Sequence, residues 1–295
     1  MRSALSTLEV ATPRDLAHAL RLLHDSLATG RAVPLAGGTD LLVYLNAGQQ
    51  VGRRFLNLWG LGELRGIRET RGGITLGALT TFTQVREHPL VRRRLPSLAA
   101  AAGVIGAWQI QNRATLAGNI ANGSPAGDSL PVLLAHEAVV HARSVRGARD
   151  IPFDTLYRGY RDLVLDPDEL ITAVTVPFPP PRAFAFFRKV GTRRAQSISK
   201  VVLCGLLRVA RGGEVDLARI ALGSVAPVPL RARRAEQALL GAKPSATAAA
   251  AARAALMEDI APIDDIRSDA AYRRAVAGNV LEQFLRAADA RFTRG

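Results

Sequence analysis

A chain of 295 residues, 48% hydrophobic and 22% charged, is long enough for two domains with their own cores and has none of the composition of a disordered protein. The net charge of +14 comes from 36 arginines against three lysines (Lys189, Lys200 and Lys243). The arginines are scattered, cluster only at 92–94 and 231–234, and have no aromatic residues between them, which argues against single-strand nucleic-acid binding. The lone cysteine, Cys204, excludes an intrachain disulfide and any zinc or iron–sulfur site ligated by cysteines of this chain alone.

The first fifteen residues lack the apolar core of a signal peptide. The most apolar windows, 96–110 and 246–257, are too short for a bilayer or are interrupted by Arg253, so a cytoplasmic chain is expected. Residues 12–30 are predicted to be helical, with Thr12 as N-cap, Pro13 in the first turn and Leu16, Ala19, Leu20, Leu23 and Leu27 on one face. A short strand at 32–36 runs through a Gly-Gly turn into the apolar segment 41–45. Strands are expected at 55–58, 66–69 and 74–78, then helices at 81–88 and 97–105. Residues 106–128 have no clear period. A short helix at 129–136 precedes a strand pair at 138–142 and 148–152 and a strand at 170–176. The run at 177–181, with four prolines in five residues, continues neither a sheet interior nor a helix and marks a boundary. Beyond it come strands at 184–190, 200–210 and 215–223, then helices at 232–240, 246–258 and 270–290. Strands first and helices after define an α+β unit.

Three stretches carry chemistry. PLAGGTDLL (34–42) is a strand, a glycine turn and a renewed apolar segment, an arrangement in which successive N–H groups converge on an anion and Thr39 can add a hydroxyl. It is neither a Rossmann fingerprint nor a P-loop, and alone it is equally an ordinary turn. TLAGNIANGSPAGD (115–128) crowds small residues around Thr115, Asn119, Asn122, Ser124 and Asp128. Two such turns some eighty residues apart suit a long ligand gripped at both ends, and a dinucleotide has that length. Asp128 reads equally as a cap for the helix after it or as a ligand contact. FRKVGTRRAQSISKV (187–201) opens the C-terminal α+β domain, and Lys189 by itself reads as a guard on an edge strand. The five histidines share no metal spacing, and no serine elbow or His-Glu-x-x-His helix is present. Any enzymatic chemistry therefore belongs to a cofactor.

In this order and spacing the three stretches resemble the flavin-binding subunits of the molybdenum hydroxylases, a family that includes the medium subunit of carbon monoxide dehydrogenase and the flavin domain of xanthine dehydrogenase. The resemblance covers nearly the whole chain. It implies an α+β fold: a two-part PCMH-type FAD-binding domain at residues 1–176, then a carbon monoxide dehydrogenase flavoprotein-like C-terminal domain at 182–295. Carried over by position, Pro34, Leu35, Ala36, Gly37, Gly38, Thr39, Asp40 and Leu41 wrap the FAD pyrophosphate. Thr115, Leu116, Ala117, Gly118 and Asn119 form the second clamp, Asp128 hydrogen-bonds the cofactor, and Ile105 and Gly106 lie near the rings. Ile171 and Lys189 fall at further flavin contacts, which reverses the bland reading of Lys189. Where the family commonly has two glycines before the asparagine of the second motif, this chain has Ala117 in the first place, a substitution that costs little at negative φ and more at positive φ.

The implied function is electron transfer. A molybdenum cofactor subunit oxidises the substrate, an iron–sulfur subunit with [2Fe–2S] clusters relays single electrons, and non-covalent FAD on this chain collects them for an external acceptor, in a dimer of heterotrimers without a membrane span or nucleic acid. The loop 191–199, with Arg193 and Arg194, is expected near the flavin as a determinant of acceptor access. The alternatives are a stand-alone FAD oxidoreductase and a cofactor-free accessory or assembly subunit.

Overall fold

In a computed structural model that describes residues 8–293 except Gln50 and Arg194, the chain forms the expected α+β arrangement as successive sheets. The first is parallel, with Arg54–Asn57 between Glu9–Ala11 and Val33–Leu35. Parallel strands need crossovers: the helix Leu16–Ser26, burying Leu16, Ala19, Leu20 and Leu23, joins the two outer strands, and Leu41–Asn46 lies in the connection from Val33–Leu35 to the central strand. The helix Leu16–Ser26 begins later than the sequence suggests. Its cap is Asp15, whose carboxylate takes the His18 N–H at 2.7 Å, and not Thr12.

The second sheet is antiparallel, in the order Ile67–Thr70, Gly73–Gly77, Leu170–Pro177, Val139–Ser144, Gly147–Pro152. Its central strand arrives last in sequence, so the chain between Gly77 and Val139 is held as a helical excursion beside the sheet. That excursion contains Phe82–Glu87, Pro89–Arg94, Pro96–Val104, Trp108–Gln111, Leu116–Asn122 and Leu130–Ala135. A reciprocal Thr81–Gln84 capping box starts the first of these. Pro89–Arg94, a helix the sequence did not reveal, explains one basic cluster: Arg92, Arg93 and Arg94 occupy its last turn, where cations suit the carbonyl end.

The third sheet is antiparallel, Phe184–Val190, Val201–Val209, Val215–Gly223 and Leu230–Arg231. Arg233–Leu239, Ala246–Asp259 and Ala270–Thr293 follow it. Val201, Leu203 and Leu207 pack into the core shared with these helices, while Cys204 joins the core of the preceding domain. Burial on both faces explains why this strand reads as an unbroken apolar run. Complete burial pushes the Cys204 thiol up to about 12, as suits a packing residue. The second basic cluster is spent within the fold. Arg231 grips Glu236 at 2.6 and 3.0 Å and reaches Glu137 at 3.5 Å, Arg233 pairs with Asp154, and Arg234 pairs with Glu258. No helix of the described residues is long and apolar enough to cross a membrane.

His136, 1% exposed, lies just past the helix Leu130–Ala135 with Nδ1 3.0 Å from the Pro177 carbonyl, and its Nε2 has no partner. Burial lowers its pKa from 6.5 to about 4. The folded state thus favours the neutral ring, and this contribution is complete above pH 6.5 and drains away as pH falls toward 4. The loss amounts to about 3 kcal/mol. Urea unfolding at pH 7.5 and 4.5 should show a steeper fall for the wild-type chain than for His136→Asn; parallel falls would refute the assignment.

Candidate functional site

A cleft of about 1380 Å³ runs between the first sheet, the helical excursion and the C-terminal domain. It is lined by all eight residues from Pro34 to Leu41, and by Thr115, Ala117, Gly118, Asn119, Asp128, Ile105, Gly106 and Ile171. The three sequence stretches therefore converge on one space. Two expected residues do not line it. Leu116, 1% exposed, faces the core, and Lys189 stands behind Asp128.

The first motif leaves the strand Val33–Leu35, turns at Gly37 and Gly38, and enters the helix Leu41–Asn46. Gly38 has φ +74. Gly37 is required by close approach: a Cβ there would lie 1.9 Å from the Arg113 carbonyl oxygen. This contact presses the first motif against the chain entering the second. Among the described residues, no protein acceptor takes the backbone N–H groups of Gly37, Gly38, Thr39, Asp40 or Leu41. Five consecutive free donors on a cleft wall form an anion site. Desolvation by the cleft walls raises the Asp40 carboxyl above its ordinary range, and the charge of Arg161 opposes it.

The second motif is not the bare loop its composition suggests. Residues Leu116–Asn122 are helical, and Thr115 caps them by accepting the Gly118 N–H at 3.0 Å. Ala117 lies inside this helix and is absent from the positive-φ residues, so its methyl group meets no backbone penalty. Asn119 Oδ1 accepts from the Ser129 hydroxyl at 2.8 Å, which fixes its amide at the cleft wall.

At the far end Asp128 is 6% exposed and is not a helix cap. Its Oδ2 takes Lys189 Nζ at 2.6 Å and its Oδ1 accepts from the Ser199 hydroxyl. Lys189 also donates to the Val104 carbonyl at 2.9 Å. Burial pushes the Asp128 carboxyl up, and the Lys189 charge, then the two hydrogen bonds, pull it back. Lys189 does lie on the edge strand of its sheet, but its side chain is 8% exposed and points inward, so the guard reading is corrected. Gln196, Ser197, Ile198 and Ser199 line the cleft, and the Gln196 N–H donates to the Gly106 carbonyl at 3.0 Å, closing the loop 191–199 onto the residues expected near the rings. Arg193 folds back on the Gln196 carbonyl at 2.6 Å; Arg194 lies outside the described residues. Sequence reasoning gave no individual role to Ser199, although it lies in the third motif, or to Tyr44 in the apolar segment after the first, and it missed Arg161, which lies in no motif.

Free donors at one end, a carboxamide at the wall, and at the far end the Asp128 carboxylate near apolar residues such as Ile105 fit a phosphate-linked flavin dinucleotide. Fold and cleft thus define the class, a two-domain protein holding an elongated dinucleotide. Comparison with known proteins then gives the family. Residues 6–179 match the FAD binding domain in molybdopterin dehydrogenase, and residues 185–288 match the CO dehydrogenase flavoprotein C-terminal domain. The chain is 35% identical to a xanthine dehydrogenase FAD-binding subunit of Escherichia coli O157:H7 over 262 residues, 88% of each chain. It is 32% identical to the carbon monoxide dehydrogenase medium chain of Hydrogenophaga pseudoflava over 287 residues, 96% of this chain and 97% of that one. A solved structure of carbon monoxide dehydrogenase from Hydrogenophaga pseudoflava, lacking the Mo-pyranopterin moiety of the molybdenum cofactor, matches with TM-score 0.90 over 96% of this chain and 98% of that one, at 32% identity. The chain belongs to the FAD-binding flavoprotein family of the molybdopterin dehydrogenases and is an oxidoreductase subunit.

Proposed function

We propose that this chain is the electron-exit subunit of a molybdenum hydroxylase, holding FAD non-covalently, taking electrons from the [2Fe–2S] clusters of one partner subunit and passing them to an external acceptor. The molybdenum cofactor belongs to a second partner, and the assembly is a dimer of heterotrimers. One observation carries the reading: five free N–H donors and a second, helical motif face each other across a single cleft in a chain of this family. FAD, once bound, accepts electrons singly and releases them in pairs, which suits a chain standing between one-electron clusters and a two-electron acceptor.

The chain's own residues bind, orient and shield. The N–H groups from Gly37 to Leu41 receive the diphosphate, with Pro34, Leu35 and Ala36 as the wall beneath. Thr115, Leu116, Ala117, Gly118 and Asn119 hold the second side, Leu116 by packing and the others at the surface of the cleft. Ile105, Gly106 and Ile171 exclude water from the ring system, and Asp128 bonds its polar edge. Lys189 acts through Asp128, fixing that carboxylate from behind. The loop 191–199 governs approach of the acceptor. The domain boundary falls in the proline run that separates the strands Leu170–Pro177 and Phe184–Val190. Non-covalent attachment is supported by the absence of histidine and cysteine from the described residues lining the cleft.

The test is co-expression with candidate iron–sulfur and molybdenum-cofactor subunits from the same source. The three chains should co-purify, the flavin should bleach when the complex meets its substrate, and acid denaturation should release all flavin into the supernatant. Rapid substrate oxidation with a flavin that stays oxidised would refute the proposal. A chain that purifies coloured but alone favours a stand-alone oxidoreductase.

A further inference from the structure

Residues 153–169 carry no sequence motif, yet they fold a small hairpin, Tyr157–Gly159 paired with Asp162–Leu163, over the end of the second motif. The contact is close: a Cβ on Gly123, whose φ is +59, would stand 3.2 Å from Arg161 Cα and 3.3 Å from the Tyr157 ring. Arg161 itself has φ +56, a left-handed conformation that arginine rarely adopts. Such backbone persists where surrounding structure over-determines it, often at a binding site.

The side chain is held as firmly as the backbone. Arg161 Nη2 donates to the Tyr44 hydroxyl at 2.8 Å, and that hydroxyl donates to Asn122 Oδ1 at 3.0 Å. The guanidinium also lies 5.1 Å from the Tyr44 ring centre and 5.5 Å from that of Tyr160. One arginine thus ties the hairpin to the helix after the first motif and to the helix of the second. Its charge is felt at the Asp40 carboxyl but makes no direct ion pair. Among the described residues no carboxylate stands within ion-pair distance of Arg161, whereas Arg158 on the same hairpin pairs with Asp162 at 2.7 Å. A guanidinium without a direct carboxylate partner, positioned by a phenol, thus lines the same cleft as five free N–H donors.

We infer that Arg161 is the cation of the diphosphate site, completing the charge that the Gly37–Leu41 N–H groups begin, and that Tyr44 and Asn122 position it. This rests on the FAD reading above. Guanidinium–phosphate pairs are charge-assisted and commonly two-pronged, so the contribution is both large and salt-dependent.

The test strips the full-length chain of flavin and titrates FAD at low and high salt, following quenching of flavin fluorescence. Arg161→Met should weaken FAD binding about 10- to 100-fold at low salt and flatten its salt dependence. Arg161→Lys should recover part of the affinity, since it keeps the charge without the planar fork. An Arg161→Met chain with affinity within twofold of wild type and the same salt dependence overturns the inference. Should that variant fail to fold by circular dichroism, Tyr44→Phe decides. It keeps the ring and removes only the hydroxyl, and is expected to weaken FAD about threefold to tenfold; unchanged affinity overturns the positioning role and with it the inference. A wild-type chain that binds no FAD refutes the flavin reading itself.

Discussion

Lys189→Met is expected to destabilise this protein by about 3–5 kcal/mol and to leave it without flavin. The magnitude follows from burial. Lys189 and Asp128 are 8% and 7% exposed in their side chains, and their charged atoms stand 2.6 Å apart. An exposed pair of this length would contribute at most about 1 kcal/mol, because water screens it and long side chains lose freedom in forming it. Here, removal of the ammonium strands a carboxylate in the interior with only the Ser199 hydroxyl as support. Val104 loses its donor as well, next to the residues assigned to the ring end. Urea unfolding and bound flavin per chain are the two measurements. The double variant Lys189→Met with Asp128→Asn should recover a substantial part of the stability, since the stranded charge is gone, and should not recover flavin. A single variant within 1 kcal/mol of wild type would show that the pair is not buried in solution.

The second large effect concerns Gly37. Its Cβ position coincides with backbone, 1.9 Å from the Arg113 oxygen and 2.5 Å from the Arg113 carbon, and backbone cannot swing aside as a side chain can. Gly37→Ala must therefore open the junction between the two motifs. Overpacking of this kind costs roughly 1–3 kcal/mol. The effect on the cofactor should be larger than the effect on stability, because the five N–H donors follow directly from Gly37. The expected result is a folded chain with FAD affinity reduced at least tenfold, measured by flavin titration alongside thermal unfolding. Full affinity would mean that the loop and residue 113 are not in contact.

What could be read from residues alone follows the range of the interactions. The strands Phe184–Val190 and Val215–Gly223 were legible to the residue because their apolar pattern and the Gly212-Gly213 turn are local signals. The start of the first helix was misplaced because Thr12 and Asp15 are both capable caps, and only the Asp15–His18 geometry decides between them. Trp108–Gln111 and Leu116–Asn122 are four and seven residues long, too short for a helical period to emerge, so the second motif looked like a loop. For Lys189 the local pattern alone gives the correct kind of strand but an outward side chain, and only the family resemblance turns it toward the site. Its direction is set by Asp128, sixty-one residues earlier, and no local pattern records that. Arg161 is the extreme case. Its meaning depends on Tyr44 and Asn122, and each of the three lies in a different segment of the chain. The cleft was therefore visible as two motifs, while the side chains that lock it were not.

The most direct measurement is the visible absorption spectrum of the purified chain, taken before and after addition of FAD. The geometry predicts the two-banded spectrum of bound oxidised flavin, near one FAD per chain, either as isolated or after reconstitution. A colourless chain that is folded by circular dichroism and takes up no FAD would contradict the account.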